Sequence, residues 1–559
     1  MTGAEALVEA LRKEKARNIF GFPGGAILPV YDALYDSDIR HILMRHEQCA
    51  AHAADGYARA SGLVGVCMAT SGPGATNLVT GIANAYMDSS PIVAFTGQVT
   101  STLIGKDAFH EADIVGITTP ITKCSFVAKK AADIPRIVKT AFHVASSGRK
   151  GPVLVDLPKD VQAEKTDVSF DGAIDLRGYR PACEPSVAEI AGAVNLLQQA
   201  QRPMILAGGG VITANACSDL VALAELLQAP VATTLMGKGS IPEDHFLSLG
   251  MIGMHGTASS NLLVNKADVL LAIGTRFSDR TTGKLDDFCP EAQIIHADID
   301  VAEIGKNVRY NASVVGDAGL TLRAIYRLLV ENYIRREETV WTSRVEQVKD
   351  WKQEEALPED CLRPVKVLRV LRNLLPSDTI VTTEVGQNQM WAALYFRATQ
   401  PRRFISSGGL GTMGFGFPAA LGAKVACPGL PVVDIAGDGS FLMTEQDLAT
   451  SIMSDIPVVV VVLNNSVLGL VAQWQRLFYN RRYSQINLGN VPDFVKLAEA
   501  YGAHGVRVET YTEFERAVKQ ALRTDVTTVI DVPIPMEENV FPMVPAGSPL
   551  RDILSGGAV

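Results

Sequence analysis

A chain of 559 residues, 47% of them hydrophobic, has room for three or four ordinary domains, each with its own core. Its 51 Lys and Arg against 60 Asp and Glu leave a net charge of −9 with no basic block, which excludes nucleic acid as a partner, since phosphate binding needs a concentrated cationic surface. Eight scattered cysteines without a Cys-x-x-Cys pair argue against a disulfide frame or zinc site, and no apolar run approaches the roughly 18 residues of a membrane span, so a soluble cytoplasmic protein is expected.

In chain order, a helical pattern over 4–12 leads into β-branched runs at 64–70, 92–96 and 153–157. A polar stretch, 165–185, reads as a linker. The pattern restarts at 203–207, running into Gly208-Gly209-Gly210, and continues with 269–273 and 294–297. A charged helical stretch over 331–355, ending near Pro358 and Pro364, reads as a second linker. The last third holds runs at 379–382, 432–436, 457–463 and 528–532. Short strands alternating with helical patterns predict open, mostly parallel sheets covered on both faces. The expected fold is three doubly wound α/β domains, at 1–165, 185–330 and 360–545, with a tail at 546–559.

The sharpest local signal is Gly437-Asp438-Gly439-Ser440, with 24 residues (440–463) between Gly439 and the pair Asn464-Asn465. Both groups follow predicted strands, so both lie where open α/β sheets bind ligands. Gly437 and Gly439 let the backbone approach a phosphate. Asp438, the Asn465 amide oxygen and the carbonyl of Val467 would offer hard oxygen ligands to Mg²⁺. Taken singly, each segment is an ordinary turn. Together, at this spacing, they resemble the diphosphate-binding motif of thiamine enzymes. In the first third, Arg45-His46-Glu47-Gln48 precedes a helical pattern. On its own Glu47 would be a solvated carboxylate favoured by the helix macrodipole.

An ordered set of segments carries a wider resemblance: FPGGAILPVYD at 22–32, TSGPGATN at 70–77, GRKGPVLVD at 148–156, GGLGTMGFG at 408–416 and FPMVP at 541–545. Along nearly its whole length the chain resembles the catalytic subunit of acetohydroxyacid synthase (acetolactate synthase). The resemblance implies an enzyme that decarboxylates pyruvate on thiamine diphosphate and transfers the hydroxyethyl unit to pyruvate or 2-ketobutyrate, in branched-chain amino acid biosynthesis. It makes Glu47 the buried acid that shares a proton with the aminopyrimidine, burial raising its pKa. Pro23, Gly25, Phe109, His110 and Lys159 complete the first-domain side. On the third-domain side it places Val385, Gln387, Asn388, Gly411, Met413, Gly437, Gly439, Ser440, Asn465 and Leu470 around the cofactor, Met413 being the wedge that bends it. Arg280 and Trp474 would receive the second keto acid, the arginine as a fork for its carboxylate. FAD is implied in the middle domain, at Gly208, Gly209, Gly210, Met254, His255, Gly256, Gly274, Arg276, Asp298, Ile299 and Asp317, with Arg149 from the first.

The resemblance further implies a dimer or tetramer whose site is shared between copies, and a small regulatory subunit. The sequence departs from the family pattern at His110 and Asn388, where glutamine and histidine are usual, and at Lys106, Cys49 and Ser278. A related flavin-dependent pyruvate oxidase or decarboxylase is the alternative enzyme; a non-catalytic scaffold would have lost the acid or a metal ligand. The segment 541–545 is a candidate lid.

Overall fold

Every predicted β-branched run forms a strand in the computed structural model, which describes residues 1–174, 176–181, 184–332, 340–348, 361–489 and 491–555. The first sheet contains β1 (Asn18–Gly21), β2 (Arg40–Leu43), β3 (Gly65–Ala69), β4 (Ile92–Gln98), β5 (Cys124–Val127) and β6 (Val153–Pro158), in the order β2-β1-β3-β4-β6-β5. The second contains β7 (Pro203–Ala207), β8 (Val231–Thr233), β9 (Ser248–Met251), β10 (Val269–Ile273), β11 (Gln293–Asp298) and β12 (Ala312–Val315), in the order β12-β11-β10-β7-β8-β9. The third contains β13 (Ile380–Thr383), β14 (Phe404–Ser406), β15 (Val432–Gly437), β16 (Val459–Asn464), β17 (His504–Arg507) and β18 (Thr528–Pro533), in the order β14-β13-β15-β16-β18-β17. The strand pairs in all three sheets are parallel.

These orders decide where ligands can bind. The first and third sheets repeat one topology, in which the chain leaves β1 and β13 toward one edge and returns to β3 and β15 on the other side. The middle sheet, read from its far edge, has the 3-2-1-4-5-6 order of dinucleotide-binding folds, reversing between β7 and β10. Each reversal opens a crevice at the carboxyl ends of the strands. Central strands such as VVVVLN of β16 are buried on both faces, as parallel sheets covered by helices require.

The first and third sheets share one core. The helix Glu47–Ser61 lies against the helix Gly416–Ala426, and Phe415, Phe417 and Ala419 pack with Ala50, Ala53 and Ala54. Their backbones touch: a side chain at Gly422 would overlap the Ala53 carbonyl, and one at Gly56 the Ala419 carbonyl. Within this contact His52 is fully buried, its ring edge-on to Phe415 with centroids 5.4 Å apart. Burial, then the charge of Arg59, lowers its pKa to about 3. The unfolded chain takes up this proton below about 6.5, so the stabilisation is complete above that pH and is lost as pH falls toward 3. His52 Nδ1 has no partner and Nε2 has the Gln48 amide at 3.4 Å, so replacing the ring costs one long hydrogen bond. Between pH 7.5 and 4.5, His52→Leu is therefore expected to lose about 3 kcal/mol less stability than the wild type. Denaturant titration at the two pH values checks this, and equal losses would remove His52 as a source of acid lability.

Between Lys165 and Pro185 the described residues contain no helix and no strand. Of the second expected linker, the helix Val340–Val348 is described, and 333–339 and 349–355 lie outside the described residues. Among the described residues no helix is long and apolar enough to cross a membrane, and the seven described cysteines are free.

Candidate active site

The first-domain residues expected around the thiamine cofactor follow strands of the first sheet: Pro23 and Gly25 after β1, Glu47 after β2, Phe109 and His110 after β4, and Lys159 after β6. Glu47 opens its helix, and His46 before it caps that helix by accepting from the Gln48 N–H through Nδ1. Contrary to the ordinary reading of such a position, Glu47 is only 8% exposed. Its Oε2 accepts from the Asn77 amide at 2.9 Å. Its Oε1 lies beside Gly74, where a Cβ would approach to 3.1 Å, so glycine keeps that side open. Burial and the Glu47 charge together hold the Tyr31 phenol above its usual range. Gly25 has nothing within 4 Å of a Cβ position, Phe109 is 87% exposed, and the Phe109 and His110 rings stack at 4.0 Å. Lys159 is exposed.

The third-domain residues gather at the crevice between β13 and β15. Asp438, at the end of β15, is 5% exposed and accepts main-chain N–H bonds from Gly439 and Ser466, which ties the loops after β15 and β16 together. Burial raises its pKa to about 6, and no Lys or Arg pairs with it among the described residues. A buried carboxylate without a counterion fits a site built for a cation. Asn465 follows the neighbouring strand β16, and its Oδ1 accepts from the Val467 N–H at 3.3 Å. Among the described residues no group of three or more His, Cys, Asp or Glu could hold a metal ion. The expected oxygen set needs only one such residue. Gly411, with φ of +71°, faces Val385 across the crevice, and Met413 is half-buried two residues further on.

Three amide and hydroxyl side chains are oriented inward. Asn388 donates both amide hydrogens to the carbonyls of Glu384 and Ile435, each at 2.9 Å, so its side chain keeps no donor for a diphosphate. Gln387 donates to Gln473 and the Glu538 carbonyl, and accepts from Asn465. The Ser440 hydroxyl donates to Glu384 at 2.6 Å. What these residues leave for a phosphate is main chain: the loop 437–440 begins the helix Asp438–Phe441, whose cap has no side-chain bond.

A cavity of about 870 Å³ joins the middle sheet to this crevice. Gly209, Gly210, Met254, His255, Gly274, Arg276, Asp298, Ile299, Asp317 and first-domain Arg149 line it, and so do Arg280, Gly411, Leu470 and Trp474. Gly208 and Gly256 sit just behind the lining, where side chains would overlap the Gly274 carbonyl and the Gly253 nitrogen. Leu470 and Trp474, one helical turn apart on the helix Gly469–Phe478, present one face to the cavity. Three polar groups there await partners. His255 Nδ1 and Trp474 Nε1 are buried without a hydrogen bond. Arg276, its pKa lowered by burial and by neighbouring Arg149, makes no ion pair among the described residues. Burial and the Arg280 charge hold His255 at about 4, and burial lifts Asp298 to about 6. Arg149 is paired with Glu303 at 2.7 Å and Asp300 at 3.2 Å.

Glu47 and Asp438 have separate neighbours in one chain: Asn77, Gly74 and Tyr31 around the first, Gly439, Ser466 and Asp531 around the second. The segment 541–545 is no loose flap. Met543 and Val544 are buried, Tyr395 binds the Phe541 carbonyl, and the Val544 N–H binds the Met254 carbonyl. Sequence reasoning did not single out Asn77 as the acid's partner, nor Asp88, whose carboxylate accepts from the Gly408 and Gly409 N–H groups and so steers the loop toward Gly411. Asn77 stood in a quoted motif, but its partner is 30 residues away and only the fold joins them.

Three family models match consecutive parts of the chain: the thiamine pyrophosphate enzyme N-terminal TPP binding domain at 1–117, the central domain at 190–325 and the C-terminal TPP binding domain at 384–532. A probable acetolactate synthase large subunit of Methanocaldococcus jannaschii is 52% identical over 99% of this chain and 95% of its own length. The chain belongs to the acetolactate synthase large subunits, within the thiamine pyrophosphate enzymes. Other members of this family are similar to it over as much of their length: the acetolactate synthase isozyme 3 large subunit of Escherichia coli is 45% identical over 97% of this chain and 96% of its own. The acetolactate synthase of Mycobacterium bovis is 48% identical over 98% and 90%. The three parallel-sheet domains are those of the thiamine pyrophosphate enzymes.

Proposed function

We propose that this chain decarboxylates pyruvate and transfers the two-carbon unit to pyruvate or 2-ketobutyrate, giving 2-acetolactate or 2-aceto-2-hydroxybutyrate for branched-chain amino acid synthesis. The observation that carries the reading is the convergence of Arg280, Trp474, Leu470 and Gly411 on one cavity with the glycine-lined crevice of the middle sheet. Bound at 437–440, thiamine diphosphate supplies the electron sink for breaking the carbon–carbon bond. The chain supplies position and protons. Glu47 Oε1, left open by Gly74, holds the proton shared with the aminopyrimidine, while Asn77 fixes the other oxygen. Asp438, Asn465 and the Val467 carbonyl would hold Mg²⁺. FAD would occupy the middle-sheet crevice, where Arg276, His255 and Asp298 are the polar groups that lack partners or are held near neutrality by burial. It would serve structure and activity there without taking net electrons, because the reaction is not redox.

The domains are taken as 1–165, 185–330 and 360–545, with the tail at 546–559. The working unit is taken as at least a dimer, the acid of one copy meeting the diphosphate crevice of the other, with a small regulatory subunit as a further partner. The separate surroundings of Glu47 and Asp438 support that reading. A cytoplasmic location accords with the free cysteines.

Product analysis tests the reaction. Pyruvate with thiamine diphosphate, Mg²⁺ and FAD should give a product that yields acetoin on acidification; acetate with a reduced acceptor would instead establish an oxidase. Arg280 offers a planar fork to the acceptor's carboxylate and Trp474 a wall beside its alkyl group. Since one methylene is worth about 1–3 kcal/mol, Trp474→Leu is expected to shift the product ratio in a pyruvate/2-ketobutyrate competition about tenfold toward acetolactate. An unchanged ratio would remove Trp474 from acceptor selection.

A further inference from the structure

We propose that Glu384 is a positioning residue for this reaction, a buried carboxylate that locks the loop 437–440 to the loop 411–414 and to the helix packed behind Glu47. Glu384 is the first residue after β13, at the crevice, and is fully buried. Its Oε2 accepts from the Ser440 hydroxyl at 2.6 Å and the Gly414 N–H at 2.9 Å. Its Oε1 accepts from the Phe417 N–H at 2.9 Å, and the Gly416 N–H also binds the carboxylate. Gly416 and Phe417 are the first turn of the helix Gly416–Ala426, whose cap residue Phe415 makes no side-chain bond. Glu384 therefore caps that helix from a distant point in the chain, where the positive end of the macrodipole favours its charge.

No Lys or Arg pairs with Glu384 among the described residues, so these donors alone compensate its burial. Asp434 lies on the other side of Gly416, and burial, then the Glu384 charge, push its carboxyl well up, while burial also raises that of Glu384.

A cap with a purely local purpose would hold one element. This one holds three: the two loops lead to residues of the proposed site in the same copy, and the capped helix leads to Glu47, which serves the site shared with the other copy. The Ser440 hydroxyl, two residues from Asp438, has one donor and two acceptor positions, and all are used: it donates to Glu384 and accepts from Gly414 N at 3.0 Å and Val385 N at 3.3 Å. Gly414 follows Met413. The capped helix touches, backbone to backbone, the helix that Glu47 opens. Because a misplacement of about 1 Å can cost 10²-fold in rate, a single anchor shared by these segments bears directly on cofactor geometry.

The test rests on the proposed function and separates its failure from that of the function. The cofactor-stripped full chain is titrated with thiamine diphosphate at saturating Mg²⁺, following tryptophan fluorescence. Glu384→Gln keeps the side chain's size and loses an acceptor; it is expected to raise Kd at least about tenfold. Ser440→Ala is expected to raise Kd in the same direction, and the double variant to lie within about twofold of Glu384→Gln, because the shared bond is already broken. Kd values within twofold of wild type for both single variants, or penalties that multiply in the double variant, would overturn the proposal. Should Glu384→Gln not fold, Ser440→Ala decides alone: a Kd within twofold of wild type overturns the proposal, and a clear rise supports it. A wild-type chain that does not bind thiamine diphosphate would overturn the functional reading instead.

Discussion

Replacing Glu47 by Gln is expected to slow turnover by roughly 10²–10⁴-fold while leaving the affinity for thiamine diphosphate within a few-fold of wild type. The amide is nearly isosteric with the acid, and one of its two polar atoms can still meet Asn77, as Oε2 does now. What it cannot do is exchange a proton at the position of Oε1, beside Gly74. The defect should therefore fall on kcat, not on cofactor binding. Steady-state rates at saturating cofactor, with fluorescence titration of the cofactor alongside, separate the two. Activity within tenfold of wild type would remove Glu47 from proton transfer.

Asp438→Asn is expected to weaken Mg²⁺-dependent binding of thiamine diphosphate by roughly 10²–10³-fold, the usual consequence of removing one partner from a buried charge pair. Without cation the substitution should have the opposite effect on the protein itself. The wild-type carboxylate is 5% exposed with no cationic side chain paired to it, and a neutral amide relieves that burial. The metal-free variant should then melt at or above the wild-type temperature, and Mg²⁺ with cofactor should raise the wild-type melting temperature but not the variant's. Calorimetry with and without the ligands measures both. A variant stabilised by the ligands as strongly as the wild type would show that the cation is held elsewhere.

The long central strands were legible because each is a predominantly apolar run, broken only by Asp156 in one and by Thr528 and Asp531 in another: 203–207 and 269–273 coincide with β7 and β10, and 153–157 and 528–532 each stop one residue short of β6 and β18. Short or marginal strands were not. CSFV of β5 and HGVR of β17 have no such run, since half-covered edge strands need no continuous hydrophobicity, and NIFG of β1, an inner strand, is too short at four residues to stand out. At the candidate site, Asp438 and Asn465 could be read directly, because each follows a strand and the two strands are adjacent. Glu47 could not be told from a solvated helix-opening carboxylate without the family resemblance; its burial comes from tertiary packing that no local pattern encodes. The orientations of Asn388 and Ser440 were likewise invisible, because Ile435 meets Asn388, and Glu384 meets Ser440, only when the sheet forms.

Mixing two inactive chains tests most directly whether the acid and the cation site work together across copies. Glu47→Gln and Asp438→Asn, each nearly inactive alone, would share one intact site in a mixed dimer: Glu47 from the second chain facing Asp438 from the first. Co-expression of the two, with acetolactate formation measured against each alone, should restore a substantial fraction of wild-type activity. A mixture no more active than its separate components, although mixed dimers form, would contradict the shared site.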